Sequence, residues 1–442
     1  MNLRKIVVNF DYTLLLTSII LSVVGIAFIY SANINKNEHL KIEYLKQIIF
    51  ALAGLAVLIS VLFMNMRTMK SSVEIFYIIC FIGLFLTLFF PSVKGQRRFS
   101  LFGVSIQFAE FMKIAVTFYL SKFYSSNYVN IKSLTVYLKG SLIAFIPVGA
   151  IMLQPDLGSS LVFIPIILAI SFVAGIRKRY LLYTVLFFFT VGFIPIITTV
   201  NSLFFKNENE IIYLMTNMKY VILVFIFLFI TIAISILAYL DIIKGISNKF
   251  KLLFYWFVFF ASIAFFGLLL SYPVNKFVLK GYQKDRLLIF FNPYSDPMNS
   301  GYNIIQAMTA IGNGGFSGKG WQKGEMIQNL FVPEQSTDFI FPVIAEELGF
   351  LGTVLIVFLY GLFFFRGFYI AINCKDLWSS CVTAGLLSYL LFHILQNIGM
   401  CIGIMPVTGI PLPFISYGGT FIVSCFLTTG LLLNFHINRF QY

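Results

Sequence analysis

The feature that most constrains this 442-residue chain is a series of long apolar runs separated by short polar segments. A helix needs about 20 apolar residues to cross the hydrocarbon core of a bilayer. Hydrophobic residues make up 59% of the chain and charged residues 11%, whereas soluble domains average about 45–50% and about 25%. A soluble core cannot bury so much apolar surface. We therefore predict an all-α polytopic membrane protein, which excludes a cytosolic enzyme, a secreted disulfide scaffold and a disordered chain.

We interpret twelve of the runs as transmembrane helices. They lie at 11–31, 47–65, 74–91, 107–123, 139–153, 158–175, 180–200, 218–240, 252–271, 339–365, 379–401 and 414–435. The short loops on the N-terminal side carry about twice as many Lys and Arg residues as those on the other side, which predicts cytoplasmic termini. The first run is longer than the apolar core of an ordinary signal peptide and no clean small-residue cleavage site follows it, so we expect a retained helix. The long polar segment 272–338 then lies on the outer face, where we expect the function.

The net charge of +14 would suggest a nucleic-acid partner for a soluble protein. Here the basic residues flank apolar runs, where they set topology and meet anionic lipid headgroups. We therefore expect a membrane and no nucleic acid as partner. The five cysteines show no CxxC spacing and the three histidines lie far apart in the sequence, so we assign no metal ligand.

Asp338 lies where the polar outer segment meets an apolar run, with Glu334 four residues earlier. Partial desolvation at such a boundary would make the carboxylate a better general base. The alternative is that Asp338 or Thr337 caps the N-terminus of the following helix. Asp296 belongs to a Ser-Asp-Pro turn signature, and we expect a structural role for it.

The glycine-rich stretch 311–321 does not match a nucleotide-binding P-loop. Asn313 stands where the first glycine should be, and Gly320 follows Lys319 where Ser or Thr is required. Two interpretations remain open: tight turns, which we favour, or backbone amides that cradle an anion together with Lys319. Arg286 could also meet phosphate groups, although a solvated basic surface is the usual explanation.

Charged residues also occur within and beside the apolar runs. Glu110 and Lys113 are three residues apart, so they share one helix face and can neutralise each other. Ionisable residues inside a membrane indicate a functional site by default, and the alternative is a buried structural pair. The basic residues Arg97 and Arg98 and the motif residues Gln154 and Asp156 are expected on the same outer face as 272–338. Such a face suits an anionic lipid headgroup or the mouth of a transporter.

Many short motifs, in order and over nearly the whole chain, resemble the SEDS (shape, elongation, division and sporulation) family of bacterial membrane glycosyltransferases, in particular its elongation branch. The motifs are Gln154–Gly158, Tyr282–Arg286, Asp296–Pro297, Gly301–Tyr302, Gln306, Gly318–Gly320, Pro333–Glu334, Thr337–Phe341, Glu346–Gly349 and Gly409–Gly419. The resemblance implies polymerisation of lipid II into peptidoglycan on the outer face of the bacterial cytoplasmic membrane during cell elongation. It also implies a class B penicillin-binding protein as the transpeptidase partner.

The resemblance implies that Asp338 is the catalytic carboxylate, which removes the proton from the acceptor GlcNAc 4-hydroxyl while undecaprenyl pyrophosphate leaves. It implies that cationic residues stabilise the leaving pyrophosphate; we expect these lipid-substrate residues among Arg97, Arg98, Arg286 and Lys319, with Glu334 nearby. A divalent cation, Mg²⁺ or Mn²⁺, could share this task. A flippase for the lipid-linked precursor and a scaffold for wall synthesis are the alternative functions.

This sequence departs from the family pattern in its number of spans. The family usually has ten spans, and residues 201–271 read as an inserted helix pair within a single integral membrane domain, 1–442. Gln107–Glu110 and Arg98–Phe99 also differ from the usual family sequences, although Glu110 and Lys113 keep their spacing. Because a pair of helices preserves the sidedness of everything after it, segment 272–338 is still expected outside the cell.

Overall fold

The computed structural model describes residues 9–35, 42–90, 92–93, 96–97, 99–101, 104–154, 156–204, 218–239, 248–279, 281–299 and 301–439. The chain divides into two compact units, one formed by residues 1–176 and 301–442 and the other by residues 177–300. The protein is almost entirely helical, as its apolar runs predict.

The first unit contains most of the helices. They are α1 (Tyr12–Asn33), α2 (Glu43–Leu62), α3 (Met66–Ser71), α4 (Val73–Leu86), α5 (Phe108–Ser126), α6 (Leu134–Met152), α7 (Leu157–Leu161), α8 (Phe163–Val173), α13 (Tyr302–Gly314), α14 (Glu325–Gln328), α15 (Ile340–Asn373), α16 (Leu377–Cys401) and α17 (Gly419–Asn438). Helix α17 packs along α2, and α15 packs on α1, α13 and α16. Two antiparallel hairpins, β1 (Ser92–Val93) with β2 (Gln96–Arg97) and β3 (Phe99–Leu101) with β4 (Val104–Ile106), precede α5.

The second unit consists of α9 (Lys178–Phe204), α10 (Met218–Tyr239), α11 (Asn248–Pro273) and α12 (Gly281–Phe291). Helix α11 packs on both α9 and α10. The predicted inserted pair at 201–271 therefore corresponds to α10 and α11, and its status as an insertion stays a prediction, as does the single integral domain.

A helix occupies each of the twelve predicted positions. Among the described residues, eight helices are long and apolar enough to cross a membrane, and Val73–Phe89, Leu157–Val173 and Ile222–Leu237 are shorter apolar helices. Helix α5 is the twelfth and carries Glu110 and Lys113. At three of the predicted spans, the observed helices differ from the prediction. The run at 158–175 forms two helices, α15 is broken at Gly349, and α17 begins at Gly419 rather than at 414.

At two prolines inside helices, a hydroxyl from a neighbouring helix replaces the hydrogen-bond donor that proline lacks. Pro147 has no N–H, so it cannot bond the Ile143 carbonyl one turn earlier, and the Tyr77 hydroxyl donates to that carbonyl at 2.8 Å. In the second unit, Pro195 likewise leaves the Val191 carbonyl without its helical donor. The Ser271 hydroxyl of α11 donates to it at 2.6 Å. These bonds satisfy backbone groups that lipid cannot.

Replacing Ser271 by Ala is expected to lower the free energy of unfolding by roughly 1–3 kcal/mol, because the partly buried Val191 carbonyl loses the donor that the fully buried Ser271 provides. Ser262→Ala is the matched control, since its hydroxyl donates only to Phe259 of its own helix among the contacts described. The control is expected to change stability by less than about 0.5 kcal/mol. Unfolding in detergent micelles measures both, and equal values for the two variants would contradict this account of the α9–α11 contact.

Candidate functional site

Asp338 lies half-buried at the end of segment 272–338, two residues before α15 begins. The residue at the N-cap position is Phe339, and no side chain among the described residues caps the helix there. The Thr337 hydroxyl donates to the Glu334 carbonyl at 3.3 Å instead. The structure therefore places Phe339, rather than Asp338 or Thr337, at the N-cap position of α15.

The backbone at Asp338 is held by α16 and the loop that follows it. The Ser336 carbonyl accepts from the Tyr417 amide at 2.8 Å, and the Thr337 carbonyl accepts from the Ser416 hydroxyl at 2.6 Å. The Asp338 carbonyl accepts from the Asn397 side-chain amide at 2.8 Å. Three consecutive carbonyls are therefore fixed at the point where the candidate base leaves the main chain.

The glycine-rich stretch forms a backbone clasp with the break in α15. The amides of Lys319 and Gly320 donate to the Glu346 and Glu347 carbonyls, each at 3.0 Å, and the Phe350 amide donates to Gly315 at 2.9 Å. These amides are engaged within the protein, which supports the interpretation as turns rather than as an anion cradle. The Lys319 side chain is exposed and remains accessible to a ligand.

Replacing Gly349 by Ala is expected to destabilise the clasp strongly. Gly349 has φ 67° and ψ −164°, a region open essentially to glycine alone, and forcing another residue into it costs about 1–3 kcal/mol. A Cβ there would also lie 2.2 Å from the Gly318 amide nitrogen. Gly361→Ala in the same helix is the control, because its Cβ meets no heavy atom of the described residues within 4 Å. The thermal unfolding temperature should therefore drop only for Gly349→Ala. An equal drop for Gly361→Ala would contradict the requirement for glycine at position 349.

Glu346, in α15, accepts hydrogen bonds from several residues of segment 272–338. Its fully buried carboxylate accepts from the Asn313 side chain at 2.8 Å and from the amides of Met326 and Ile327 at 2.9 and 3.1 Å. Glu347, also buried, accepts from the Ser31 hydroxyl of α1 at 2.5 Å. We assigned no role to these residues from the sequence, although adjacent glutamates inside an apolar run are a usable signal.

Glu110 and Lys113 form the predicted pair within the membrane. Lys113 Nζ lies 2.7 Å from Glu110 Oε1, and the Lys113 side chain is 0% exposed. Lys113 Nζ also lies 3.1 Å from His393 Nε2, and His393 Nδ1 lies 3.2 Å from the Pro411 carbonyl. A charged Lys113 can only donate, so Nε2 accepts and the proton on Nδ1 donates to Pro411. The sequence alone does not connect His393 with this pair, because the contact joins two distant helices.

The remaining predicted site residues are distributed as follows. Asp156 caps α7, accepting from the Ser159 amide at 3.0 Å, and also accepts from Gln107 at 3.2 Å. The Gln154 side chain donates to the Leu84 carbonyl and the Thr87 hydroxyl. Asp296 accepts from Asn299 within a turn. These contacts are of the kind expected for structural motif residues.

The predicted cationic group is described only in part. The Arg286 guanidinium, in α12 of the second unit, lies 5.7 Å from the centre of the Tyr282 ring. Only the backbone of Arg97 is described, in β2, and Arg98 lies outside the described residues. Glu334 is exposed in the first unit, as is Lys319. The grouping of these residues around a pyrophosphate stays a prediction.

A bound divalent cation finds no ready-made protein site in the described part of the chain. Among those residues, no group of three or more His, Cys, Asp or Glu side chains is placed to hold a metal ion. Hard cations such as Mg²⁺ prefer several oxygen ligands. We therefore name no metal ligand and derive no step that uses a metal.

Comparisons with known proteins extend over the whole chain. The family model described as "Cell cycle protein", covering FtsW, RodA and SpoVE, matches residues 12–220 and 209–441. The chain is 35% identical over 439 residues to the peptidoglycan glycosyltransferase RodA of Treponema pallidum, with 98% of each chain covered. It is 31% identical over 435 residues to the stage V sporulation protein E of Bacillus subtilis, with 96% of each covered.

The fold comparison agrees with the sequence comparison. A solved structure described as "Structural coordination of polymerization and crosslinking by a peptidoglycan synthase complex" contains a chain that superposes with a TM-score of 0.67 at 24% identity, covering 98% of this chain and 99% of that one. The helical membrane architecture is therefore shared. From its family match and its full-length similarity to RodA, this chain belongs to the FtsW/RodA/SpoVE family, the SEDS family.

Proposed function

We propose that this protein is a peptidoglycan glycosyltransferase that polymerises lipid II during cell elongation. The full-length similarity to a protein named peptidoglycan glycosyltransferase RodA supports this function, and its branch, more than any other observation. The position of Asp338, half-buried where a polar outer segment meets a membrane helix, supports the assignment of the catalytic group. No covalent enzyme intermediate is needed, because pyrophosphate is a good leaving group.

In the proposed reaction, the Asp338 carboxylate takes the proton from the 4-hydroxyl of the acceptor GlcNAc. The oxygen then bonds to the anomeric carbon of the donor, whose bond to the pyrophosphate oxygen breaks with inversion. Undecaprenyl pyrophosphate leaves with the electron pair of that bond. A positioned general base contributes typically 10²–10⁴-fold to such a rate.

The leaving pyrophosphate develops negative charge, which nearby cations would stabilise. The candidate cations are Lys319, Arg286, Arg97 and Arg98. The side chain of Lys319 is exposed. Arginine side chains suit this task because their planar donors match phosphate oxygens in pairs. The family resemblance implies that a divalent cation could also stabilise the pyrophosphate, and we name no protein ligand for it.

The proposed setting is the bacterial cytoplasmic membrane, with both termini inside and segment 272–338 outside. The distribution of Lys and Arg between the loops supports this topology. A class B penicillin-binding protein is the proposed partner, since glycan strands must be cross-linked. The superposed chain comes from a peptidoglycan synthase complex that coordinates polymerization and crosslinking, which is in keeping with such a partner.

The alternative, a lipid II flippase, would use the charges within the bilayer. Glu110 and Lys113 are already paired with each other, and the Tyr389 hydroxyl and His393 lie within hydrogen-bond reach of them. A charge pair that is fully engaged inside the protein fits a structural role better than a transport pathway. The polymerase is therefore the function that we propose.

Proteoliposomes that contain fluorescent lipid II distinguish the two functions. We expect the protein, reconstituted with a cognate penicillin-binding protein that cannot itself polymerise, to convert lipid II into glycan. We expect no change in the fraction of lipid II that an external quencher reaches when polymerisation is blocked. Rapid equilibration of the quenched fraction without any glycan would support the flippase and overturn the proposal.

A further inference from the structure

The hydrogen bonds around residues 336–338 form a cluster whose donors take no part in the bond-making and bond-breaking of the proposed reaction. Their donors, the amide of Tyr417, the hydroxyl of Ser416 and the side-chain amide of Asn397, come from α16 and the loop that follows it. All three acceptors are main-chain carbonyls in the segment that ends at Asp338. We call this set of three bonds the carbonyl clamp.

The carbonyl of Asp338 lies outside the hydrogen-bond ladder of α15. Phe339 is the N-cap residue and the helix begins at Ile340, and the carbonyl of the N-cap residue is the first that an amide of the helix reaches. The side-chain amide of Asn397 in α16 donates to the Asp338 carbonyl at 2.8 Å. This carbonyl is therefore fixed by another helix rather than by α15.

The side-chain amide of Asn397 can make this bond in only one of its two possible orientations. Its Nδ2 donates to the Asp338 carbonyl and to the Ile410 carbonyl, both at 2.8 Å, and the residue is fully buried. A flipped amide would direct its oxygen toward two carbonyl oxygens, so the orientation is determined by its neighbours. Asn397 thus joins Asp338 to the loop after α16.

Ser416 is itself held in place by two further groups. Its hydroxyl accepts from the Leu412 amide at 2.8 Å while donating to Thr337, and its carbonyl accepts from Gln47 Nε2 at 3.1 Å. Gln47 Oε1 also accepts from the Gly418 amide at 3.2 Å. The donor side of the clamp is therefore rigid, which is what a catalytic group requires of its support.

We propose that Asn397 and Ser416 are positioning residues, which fix the backbone at 336–338 and thereby aim the Asp338 carboxylate at the acceptor hydroxyl. This inference rests on the proposed function. A displacement of about 1 Å at a catalytic group can cost about 100-fold in rate. Loss of the clamp therefore affects the chemical step, whereas lipid II binding through other residues is retained.

Two variants test the proposal in the polymerisation assay with the full-length protein and its partner. Asn397→Asp preserves shape but replaces two donors by oxygen, and Ser416→Ala removes one donor. We expect kcat to fall about 10–100-fold, with KM for lipid II changed less than about threefold. Ser416→Thr keeps a hydroxyl and is expected to restore kcat to within a few-fold of wild type.

Asn434→Asp is the matched control for stability. Asn434 is also fully buried, and its Nδ2 donates to the carbonyls of Val61, Leu62 and Met64, none of which belongs to segment 336–338. We expect it to lower the unfolding temperature as Asn397→Asp does, while the folded fraction keeps the wild-type kcat. If the two Asn variants lose kcat equally, or if Asn397→Asp and Ser416→Ala keep it, the positioning role is wrong.

The outcomes also separate this inference from the proposed function. A wild-type protein that makes no glycan would contradict the function itself, whereas an active wild type with unaffected clamp variants contradicts only the clamp. If Asn397→Asp does not fold, Ser416→Ala decides, with Ser416→Thr as the variant that restores the hydroxyl.

Discussion

Replacing Asp338 by Asn is expected to reduce glycan synthesis by about 10²–10⁴-fold, the usual contribution of a general base. The amide has nearly the same shape as the carboxylate, so packing at the start of α15 is preserved. It cannot accept the proton from the acceptor hydroxyl, so the chemical step slows while lipid II binding persists. Single-turnover polymerisation of labelled lipid II measures this loss separately from binding.

Asp296→Asn is the matched control for Asp338→Asn. Asp296 lies in the same predicted outer segment and accepts from Asn299 within a turn, and we assign it no part in the reaction. Its substitution is expected to change the rate by less than about threefold. Asp338→Glu, which keeps a carboxylate but moves it, should retain part of the activity. Full activity in Asp338→Asn would show that this carboxylate is not the base.

Replacing Lys113 by Met is expected to lower the free energy of unfolding by about 3–5 kcal/mol, because Glu110 would be left as an unpaired buried charge. Glu110→Gln should have a similar effect for the same reason. The double variant, Glu110→Gln with Lys113→Met, is expected to recover part of the loss, since no uncompensated charge remains. Unfolding of the purified protein in detergent micelles, with all three variants compared, measures this coupling.

Lys122→Met provides the control for this prediction. Lys122 Nζ and Glu74 Oε2 are also 2.7 Å apart, but their side chains are 26% and 43% exposed. An ion pair of that kind contributes about 0–1 kcal/mol. If Lys113→Met were no more harmful than Lys122→Met, the structural role of the buried pair would be contradicted.

The sequence was sufficient for the helical fold because long apolar runs are a local property. Each predicted run is helical over most of its length, and the spacing of Glu110 and Lys113 correctly places them on one face of α5. The break at Gly349 could not be read from an apolar run. A Cβ at this position would lie 2.2 Å from the amide nitrogen of Gly318, a residue that is distant in sequence.

The supporting structure of the candidate site depends on contacts between segments far apart in the chain. The Asp338 position followed from the junction of a polar and an apolar segment, together with the family resemblance. Asn397 and His393 lie in the same membrane helix, α16, and their partners at Asp338 and Lys113 become visible only in the fold. The hydrogen bonds of Glu346 to the outer segment were missed for the same reason.

Glycan synthesis by the purified protein tests the central claim most directly. Wild type and Asp338→Asn are each incubated with labelled lipid II and the cognate penicillin-binding protein, which is itself unable to polymerise. We predict long glycan from wild type and at least about 100-fold slower synthesis by a folded Asp338→Asn. No glycan from a folded wild type that binds lipid II, or equal glycan from both proteins, would contradict the account.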